Sequence, residues 1–446
     1  MPMIESHYSS KVASFLEKHG LKVGDYVEIR INSTTLKGII MPSTIFSGED
    51  ILILKLDNGY NTGVSISRIK AVKKLRRASV FEEYHLESPP IPENLPRVSL
   101  IGAGGTIASR VDYETGAVRP AIKPEDLYEI IPELSTMAII ESREVLNILS
   151  ENMHPKYYTK LVKTIHDEVT REDVKGVIVT HGTDTMAYTA AAVAFSIQNL
   201  PKPVILVGSQ RSSDRPSSDA FLNLICAVYA ASTIPIAETM VLMHGSINDD
   251  YCLLHRGVRV RKCHTSRRDA FKSINDIPLA RVWASRYEIL NPSYIERDES
   301  RTPEFKPKFS DKVALLKAYP GFPGSIIEYL IDQEFEGIVL EGTGLGHFPE
   351  YAFEPLRKAV REGLLVAMTS QCLWGRVNMN VYSTGRNLVK IGVIPLEDML
   401  PEVALIKMMW IIANYESLEE RKQMLRANLV GEFSPRSLVG GFNLEA

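Results

Sequence analysis

The sequence predicts an α/β protein: a large domain on a parallel sheet, a smaller C-terminal α/β domain after it, and a small N-terminal β-barrel before it. Three observations carry this reading. Short apolar runs alternate with helical stretches from about residue 97 onward, and alternating β and α implies a parallel sheet covered on both faces. Residues 21–72 have a different texture, that of closely spaced short strands. The 446 residues correspond to about three domains at roughly 150 residues each.

Taken in order, Val12, Phe15 and Leu16 fall at i, i+3 and i+4, with Gly20 after them. That spacing predicts a short amphipathic helix with a glycine stop. In VEIRI, Val27, Ile29 and Ile31 alternate with Glu28 and Arg30, the period of a half-buried strand. LKGII, ILILKL and GVSISRI follow as further strands, and Asp57-Asn58-Gly59 supplies turn chemistry between two of them. Short strands so spaced predict a small β-barrel domain over 1–86. Residues 87–96 hold Pro89, Pro90, Pro92 and Pro96; proline removes donors and favours extended chain, so they read as a linker.

The large domain is expected over 97–290. VSLI (98–101), AIIES (138–142), GVIVT (176–180), PVILVG (203–208) and MVLMHG (240–245) read as buried strands, with helices near 156–169, 184–197 and 218–231. A charged, proline-containing stretch at 291–309 reads as a second linker. The smaller α/β domain, 310–446, would use VALLKAY, GIVLEGTG and LLVAMTSQ as strands, with helices between them and two more at the end.

Composition bounds the function. Hydrophobic residues make up 45% and charged residues 24%, the balance of a folded soluble protein. A net charge of −3 argues against wholesale electrostatic binding of nucleic acid. Cys226, Cys252, Cys263 and Cys372 are scattered without a C-x-x-C pair, which supports neither a disulfide framework nor a zinc site. With no apolar leader and no run of about 18 apolar residues, the expectation is a reduced, cytoplasmic protein without a membrane span.

Three motifs could carry chemistry. Gly102-Ala103-Gly104-Gly105-Thr106 follows the strand VSLI. Glycines at a strand's C-terminal edge let the backbone approach a ligand. The plain reading is a tight turn. A dinucleotide loop fits poorly, because Ile107 stands where G-x-G-x-x-G needs its last glycine. Thr180-His181-Gly182-Thr183-Asp184-Thr185-Met186 follows the strand GVIVT. Helix capping by Thr183 or Asp184 accounts for part of it; the functional reading is a hydroxyl, a carboxylate and helix N-terminal amides at one sheet edge, which suits a carboxylate-bearing ligand. His181 reads as structural, since no second histidine stands at metal spacing. The third motif, Val260-Arg261-Lys262-Cys263-His264-Thr265, gains weight only beside the other two. A threonine hydroxyl is a poor nucleophile until a base takes its proton, and a buried lysine oriented by an aspartate can be that base. Two threonines, an aspartate and a lysine form a complete set for acyl transfer. No metal ligands are expected.

These motifs resemble those of the bacterial-type L-asparaginase/glutaminase family: GGTIAS, then Tyr113-Glu114-Thr115-Gly116-Ala117-Val118, then HGTDTM, then RKCHTSRRDAFKS, in the family's order over about 97–420. The resemblance implies an asparaginase-type fold. It implies Thr106 as nucleophile with Tyr113 on the same loop, and Thr183, Asp184 and Lys262 as second hydroxyl, acidic neighbour and base. Gly105, Gly182, Ser150 and Glu151 would bind substrate. Ser150 fits the family's Ser-Gln pair, whereas Glu151 places a carboxylate where the family carries a neutral amide.

The N-terminal addition resembles the asparaginase-like subunit family of the archaeal glutamyl-tRNA(Gln) amidotransferases. That resemblance implies release of ammonia from glutamine and a homodimer within a heterotetramer. It also implies a partner, the amidotransferase's E subunit, that uses ATP and Mg to activate Glu-tRNA(Gln), with no cofactor in this chain. A free-standing L-asparaginase and a non-catalytic RNA-binding or assembly subunit are the rival readings. The basic run Arg68, Lys70, Lys73, Lys74, Arg76 and Arg77 reads first as a solvated face and second as an RNA contact.

Overall fold

The computed structural model describes residues 8–32, 34–43, 48–56, 61–77, 92, 94–105, 109–111, 118–120, 127–128, 131–212 and 217–437. Thr106, Tyr113, the Asp57-Asn58-Gly59 turn and most of the proline-rich 87–96 stretch lie outside the described residues.

The N-terminal unit opens with α1 (Ser10–Lys18), capped by the Ser9 side chain, which accepts from the Val12 N–H. Strands β1 (Asp25–Ile31), β2 (Thr34–Ile40), β3 (Ile51–Leu56), β4 (Asn61–Ser65) and β5 (Ile69–Arg77) follow. They pair antiparallel in the order β4-β3-β2-β1-β5. Val27 and Ile29 point inward and Arg30 outward, as the alternation predicts. They join Val12, Leu16, Ile40, Leu52 and Leu54 in one core. The order leaves β4 and β5 at the edges, so the expected barrel is, among the described residues, a five-stranded sheet sharing a core with α1. From Lys70 onward the basic run lies on edge strand β5, with Arg68 on the 3-10 turn before it; lysines on an edge also discourage pairing with another chain. There Lys74 is held by the buried Asp25 at 2.7 Å.

The large domain contains β6 (Arg97–Gly102), β7 (Ser109–Val111), β8 (Val118–Pro120), β9 (Ile139–Glu144), α2 (Pro155–Val169), β10 (Val174–Thr180) and α3 (Met186–Ser196). It continues with β11 (Ile197–Gln198), β12 (Val204–Val207), α4 (Ala220–Thr233), β13 (Thr239–His244), β14 (Cys252–Arg256), β15 (Val260–Lys262), β16 (Phe271–Ser273), β17 (Ala280–Val282), β18 (Tyr287–Ile289) and β19 (Glu304–Phe305). Its main sheet has eight strands in the order β18-β17-β14-β13-β12-β10-β6-β9. Successive residues of β10 serve opposite faces. Ile178 packs with α4 residues such as Leu224, while Val177 and Val179 pack with Leu161 of α2 and Val193 of α3. Burial on both faces makes such strands continuous apolar runs.

The five strands expected to be parallel are parallel. The sheet does not end there. β14, β17 and β18 extend it antiparallel, because the 246–251 loop returns the chain beside β13 as a hairpin. The stretch 291–309 is strapped to the large domain: β19 pairs with β11, and Ala237 N–H donates to Ile295 O at 2.8 Å.

The smaller domain follows as β20 (Val313–Lys317), α5 (Ser325–Asp332), β21 (Gly337–Gly342), α6 (Phe353–Arg361), β22 (Leu365–Ser370), α7 (Ser383–Ile391), β23 (Ile394–Pro395), α8 (Pro401–Asn414) and α9 (Leu418–Arg426). Its sheet is parallel in the order β20-β21-β22-β23. α8 packs between that sheet and α3, where Trp410 stacks on Phe195 with ring centroids 5.9 Å apart. No helix among the described residues is long and apolar enough to cross a membrane.

Candidate active site

The chain runs from β6 to β9 on one side, then crosses to β10 on the other. The C-terminal edge between β6 and β10 is therefore the switch point, where open α/β sheets bind ligands. Both glycine-threonine motifs leave the sheet at this edge. Gly104 and Gly105 turn with φ of +98° and +87°, the region that favours glycine. A Cβ on Gly105 would stand 2.8 Å from the Gly182 nitrogen, so the first loop lies against the second. Thr106, the next residue, and Tyr113 are outside the described residues.

Lys262 comes to this edge from β15, 78 residues further along the chain than Asp184. Its Nζ donates to Thr183 Oγ1 at 2.9 Å and to Asp184 Oδ1 at 2.8 Å. The lysine side chain is only 14% exposed, whereas the Asp184 side chain is 66% exposed. The amine is thus enclosed at the site while its carboxylate partner faces outward. Helix capping does not explain this motif. The N-cap of α3 is Thr185, and its side chain makes no cap hydrogen bond.

Thr185 instead donates its Oγ1–H to the carbonyl of Ser150 at 2.7 Å. A Cβ on Gly182 would stand 2.7 Å from the Ser150 Cβ, so only glycine allows the approach. Ser150, Gly182, Thr183, Asp184 and Lys262 are therefore brought together, with Gly105 beside them. Glu151 is exposed on the same 3-10 turn as Ser150.

His181 is buried beneath the motif. Its Nδ1–H donates to Gly182 O at 2.7 Å, and its Nε2 accepts from Thr189 Oγ1 at 2.9 Å. Thr189 is in turn hydrogen-bonded to the buried Tyr158. Burial lowers the His181 pKa to about 4, so the imidazole is a neutral brace, consistent with its structural reading. No group of three His, Cys, Asp or Glu side chains among the described residues could hold a metal ion.

Thr185 and Thr189 went unnoticed in the sequence. The hint for Thr185 was the second hydroxyl of HGTDTM, two positions after the first. A relay from α3 to the strand end leaves no local pattern.

Residues 97–294 match the model "Asparaginase, N-terminal", 312–425 match "Glutaminase/Asparaginase C-terminal domain", and 21–75 match "GatD N-terminal domain". The chain is 50% identical to the D subunit of the glutamyl-tRNA(Gln) amidotransferase of Pyrococcus abyssi over 434 residues, covering 95% of this chain and 98% of that protein. It is 49% identical to the protein of the same name from Pyrococcus horikoshii, with the same coverage. Among solved structures it is similar to the thermostable L-asparaginase from Thermococcus kodakarensis, with a TM-score of 0.69 and 30% identity, covering 76% of this chain and 100% of that one.

Proposed function

Since the chain belongs to the family of glutamyl-tRNA(Gln) amidotransferase D subunits, we propose that its site releases ammonia from glutamine through a threonine nucleophile. The chain is the glutaminase component of a tRNA-dependent amidotransferase. The match of its N-terminal unit to the D-subunit model separates it from a free-standing L-asparaginase.

The observation that carries the chemistry is Lys262 Nζ held between Thr183 Oγ1 and Asp184 Oδ1. In its neutral form the amine accepts the Thr183 proton along the same contact, and Asp184 stabilises the ammonium that results. Thr106 attacks the side-chain amide carbon of glutamine, forming a C–O bond as its hydroxyl proton passes into the Thr183–Lys262 relay. The C–N bond then breaks and ammonia leaves with the proton returned from the relay. Water, deprotonated through Thr183 and Lys262, cleaves the acyl-threonine to give glutamate. Backbone N–H groups of the two glycine turns serve the developing oxyanion, and Tyr113 acts on the same loop as Thr106. Ser150 faces the α-carboxylate of the substrate. Glu151, an anion, suits its α-ammonium. The partner E subunit, using ATP and Mg, activates Glu-tRNA(Gln) and receives the ammonia, and the chain acts as a homodimer within a heterotetramer.

The test is ammonia release by Thr106→Ala and Thr183→Ala. Each should fall by orders of magnitude with an unchanged circular-dichroism spectrum. A folded Thr106→Ala variant with near wild-type release removes Thr106 from the mechanism.

A further inference from the structure

Lys262 ends a strand that cannot hold itself in place. β15 is three residues long and, among the described residues, pairs only with the equally short β16, outside the eight-stranded sheet. Side chains alternate along a strand. Val260 and Lys262 therefore share one face, and Val260 is 1% exposed. Arg261 points to the other face, as does Arg259 two residues earlier.

Both arginines meet carboxylates of one short segment in the smaller domain. Arg259 Nη2 lies 3.2 Å from Asp398 Oδ2, with both side chains almost fully buried. Arg261 Nε lies 2.9 Å from Glu402 Oε1. Arginines at i and i+2 on the strand thus face carboxylates at i and i+4 on the segment that enters α8. The hairpin is gripped from its other arm as well: Asn275 Nδ2 donates to Gly375 O and to Asp398 O, both at 3.1 Å.

The two rungs differ in character. The Arg259 rung also engages Ser434 and joins the domains, although its Nε is buried without a hydrogen-bond partner among the described residues. The Arg261 rung is poor as a stabilising device. Glu402 is 7% exposed, and its Oε2 is buried without a hydrogen-bond partner among the described residues. Burial pushes its carboxyl upward, while the Arg261 charge pulls it down. A buried ion pair of this kind is often no more stable than well-packed apolar side chains. What it supplies is direction: it fixes the residue next to Lys262 against the first turn of α8. The same helix packs on α3, which begins two residues after Asp184.

We propose that Glu402 is a positioning residue for Lys262: through Arg261, the smaller domain sets where the amine stands relative to Thr183 and Asp184. This rests on the reading of Lys262 as the base. Two partners must be met at nearly equal lengths, 2.9 and 2.8 Å. A misplacement of about 1 Å costs on the order of 100-fold in rate.

The test uses the full-length chain assembled with its partner, following ammonia release from glutamine. Glu402→Gln should lower kcat by about 10- to 100-fold with KM within about twofold, because the substrate contacts lie elsewhere. Arg261→Lys should recover part of the rate. The double variant Arg261→Met with Glu402→Leu should retain or raise Tm and yet be as slow as Glu402→Gln alone. In a Lys262→Met background, adding Glu402→Gln should cost nothing further. A folded Glu402→Gln with full kcat, a change in KM alone, or a double variant with both high Tm and full rate overturns the proposal. Full activity in Lys262→Met alone sinks the base reading and this proposal with it. An inactive Lys262→Met beside a fully active Glu402→Gln sinks the positioning role only.

Discussion

Thr185 Oγ1 donates to the Ser150 carbonyl at 2.7 Å, which ties the turn after β9 to the turn after β10. The carbonyl also accepts from Met153 N–H, so removing the hydroxyl leaves it satisfied. Thr185→Val should therefore cost only about 1 kcal/mol of stability. It should release Ser150 from Gly182 and raise KM for glutamine by about tenfold, with a smaller change in kcat. Steady-state kinetics beside a melting curve measure both, and an unchanged KM would remove Thr185 from substrate placement.

Lys262 tests charge against basicity. Lys262→Arg keeps a cation able to donate to Thr183 and Asp184, but arginine does not give up its proton in proteins. Ammonia release should fall as far as in Lys262→Ala. Substantial activity in the arginine variant would mean the lysine works as a fixed charge.

The parallel strands were legible in the sequence because burial on both faces turns each into an apolar run, as in Val177, Ile178 and Val179. β14, β17 and β18 were not. The short 280–282 and 287–289 segments have no run long enough to show a period, and only the 246–251 loop reveals that CLLHR turns back. The site was legible where motifs sit at strand ends, as with Thr183 and Asp184. Glu402 was not, because its role depends on Arg261 reaching it across a domain boundary. The alternation of Arg259, Val260, Arg261 and Lys262 was the available trace: a strand with a charged second face must find carboxylates somewhere.

Acid should destabilise the fold through His181. Its folded-state pKa of about 4 lies below the usual 6.5. Between those values the unfolded chain binds the proton and the folded one does not, so stability rises with pH across the window. It is complete above pH 6.5 and lost as pH falls toward 4, a change of about 3 kcal/mol from this residue. His255 is buried in the same way, with its pKa lowered to about 3, and adds to the trend. Tm measured from pH 7 to pH 4 should fall, and His255→Phe should flatten the slope. A flat profile in the parent protein would contradict the burial of both rings.

Lys407 and Glu432 form an ion pair with both side chains 0% exposed, at 2.6 Å. The amine also donates to Leu425 O, which fastens the C-terminal segment to α8. Lys407→Met should cost about 3–5 kcal/mol by leaving the carboxylate buried alone. Adding Glu432→Leu should restore much of that loss, though Leu429 and Val430 N–H groups lose their acceptor. Denaturant midpoints for the two singles and the double close the cycle, and equal additive losses would deny the coupling.

The last prediction concerns coupling to the acceptor. A glutaminase that ran freely would release ammonia with nothing to receive it. On the reading proposed above the chain works beside a partner and a charged tRNA, and its catalytic set is drawn from separate loops of the large domain, with Glu402 of the smaller domain behind one of them. Thr106 follows Gly105 in sequence, Thr183 and Asp184 stand on the next loop, and Arg261, beside Lys262, meets the smaller domain's Glu402. A site assembled from that many parts is readily gated, since an inactive arrangement needs only one of them displaced. Moving such an equilibrium from 1:99 to 99:1 takes about 5.5 kcal/mol of differential binding, within reach of a protein and an RNA ligand together. The chain purified alone should release ammonia from glutamine slowly. Addition of the E subunit and Glu-tRNA(Gln) should raise the rate strongly, and uncharged noncognate tRNA should not. Asparagine should show no comparable activation if the response belongs to the glutamine reaction. A chain that hydrolyses glutamine or asparagine at full rate alone, and ignores both additions, would be a free amidohydrolase whose N-terminal unit serves another end.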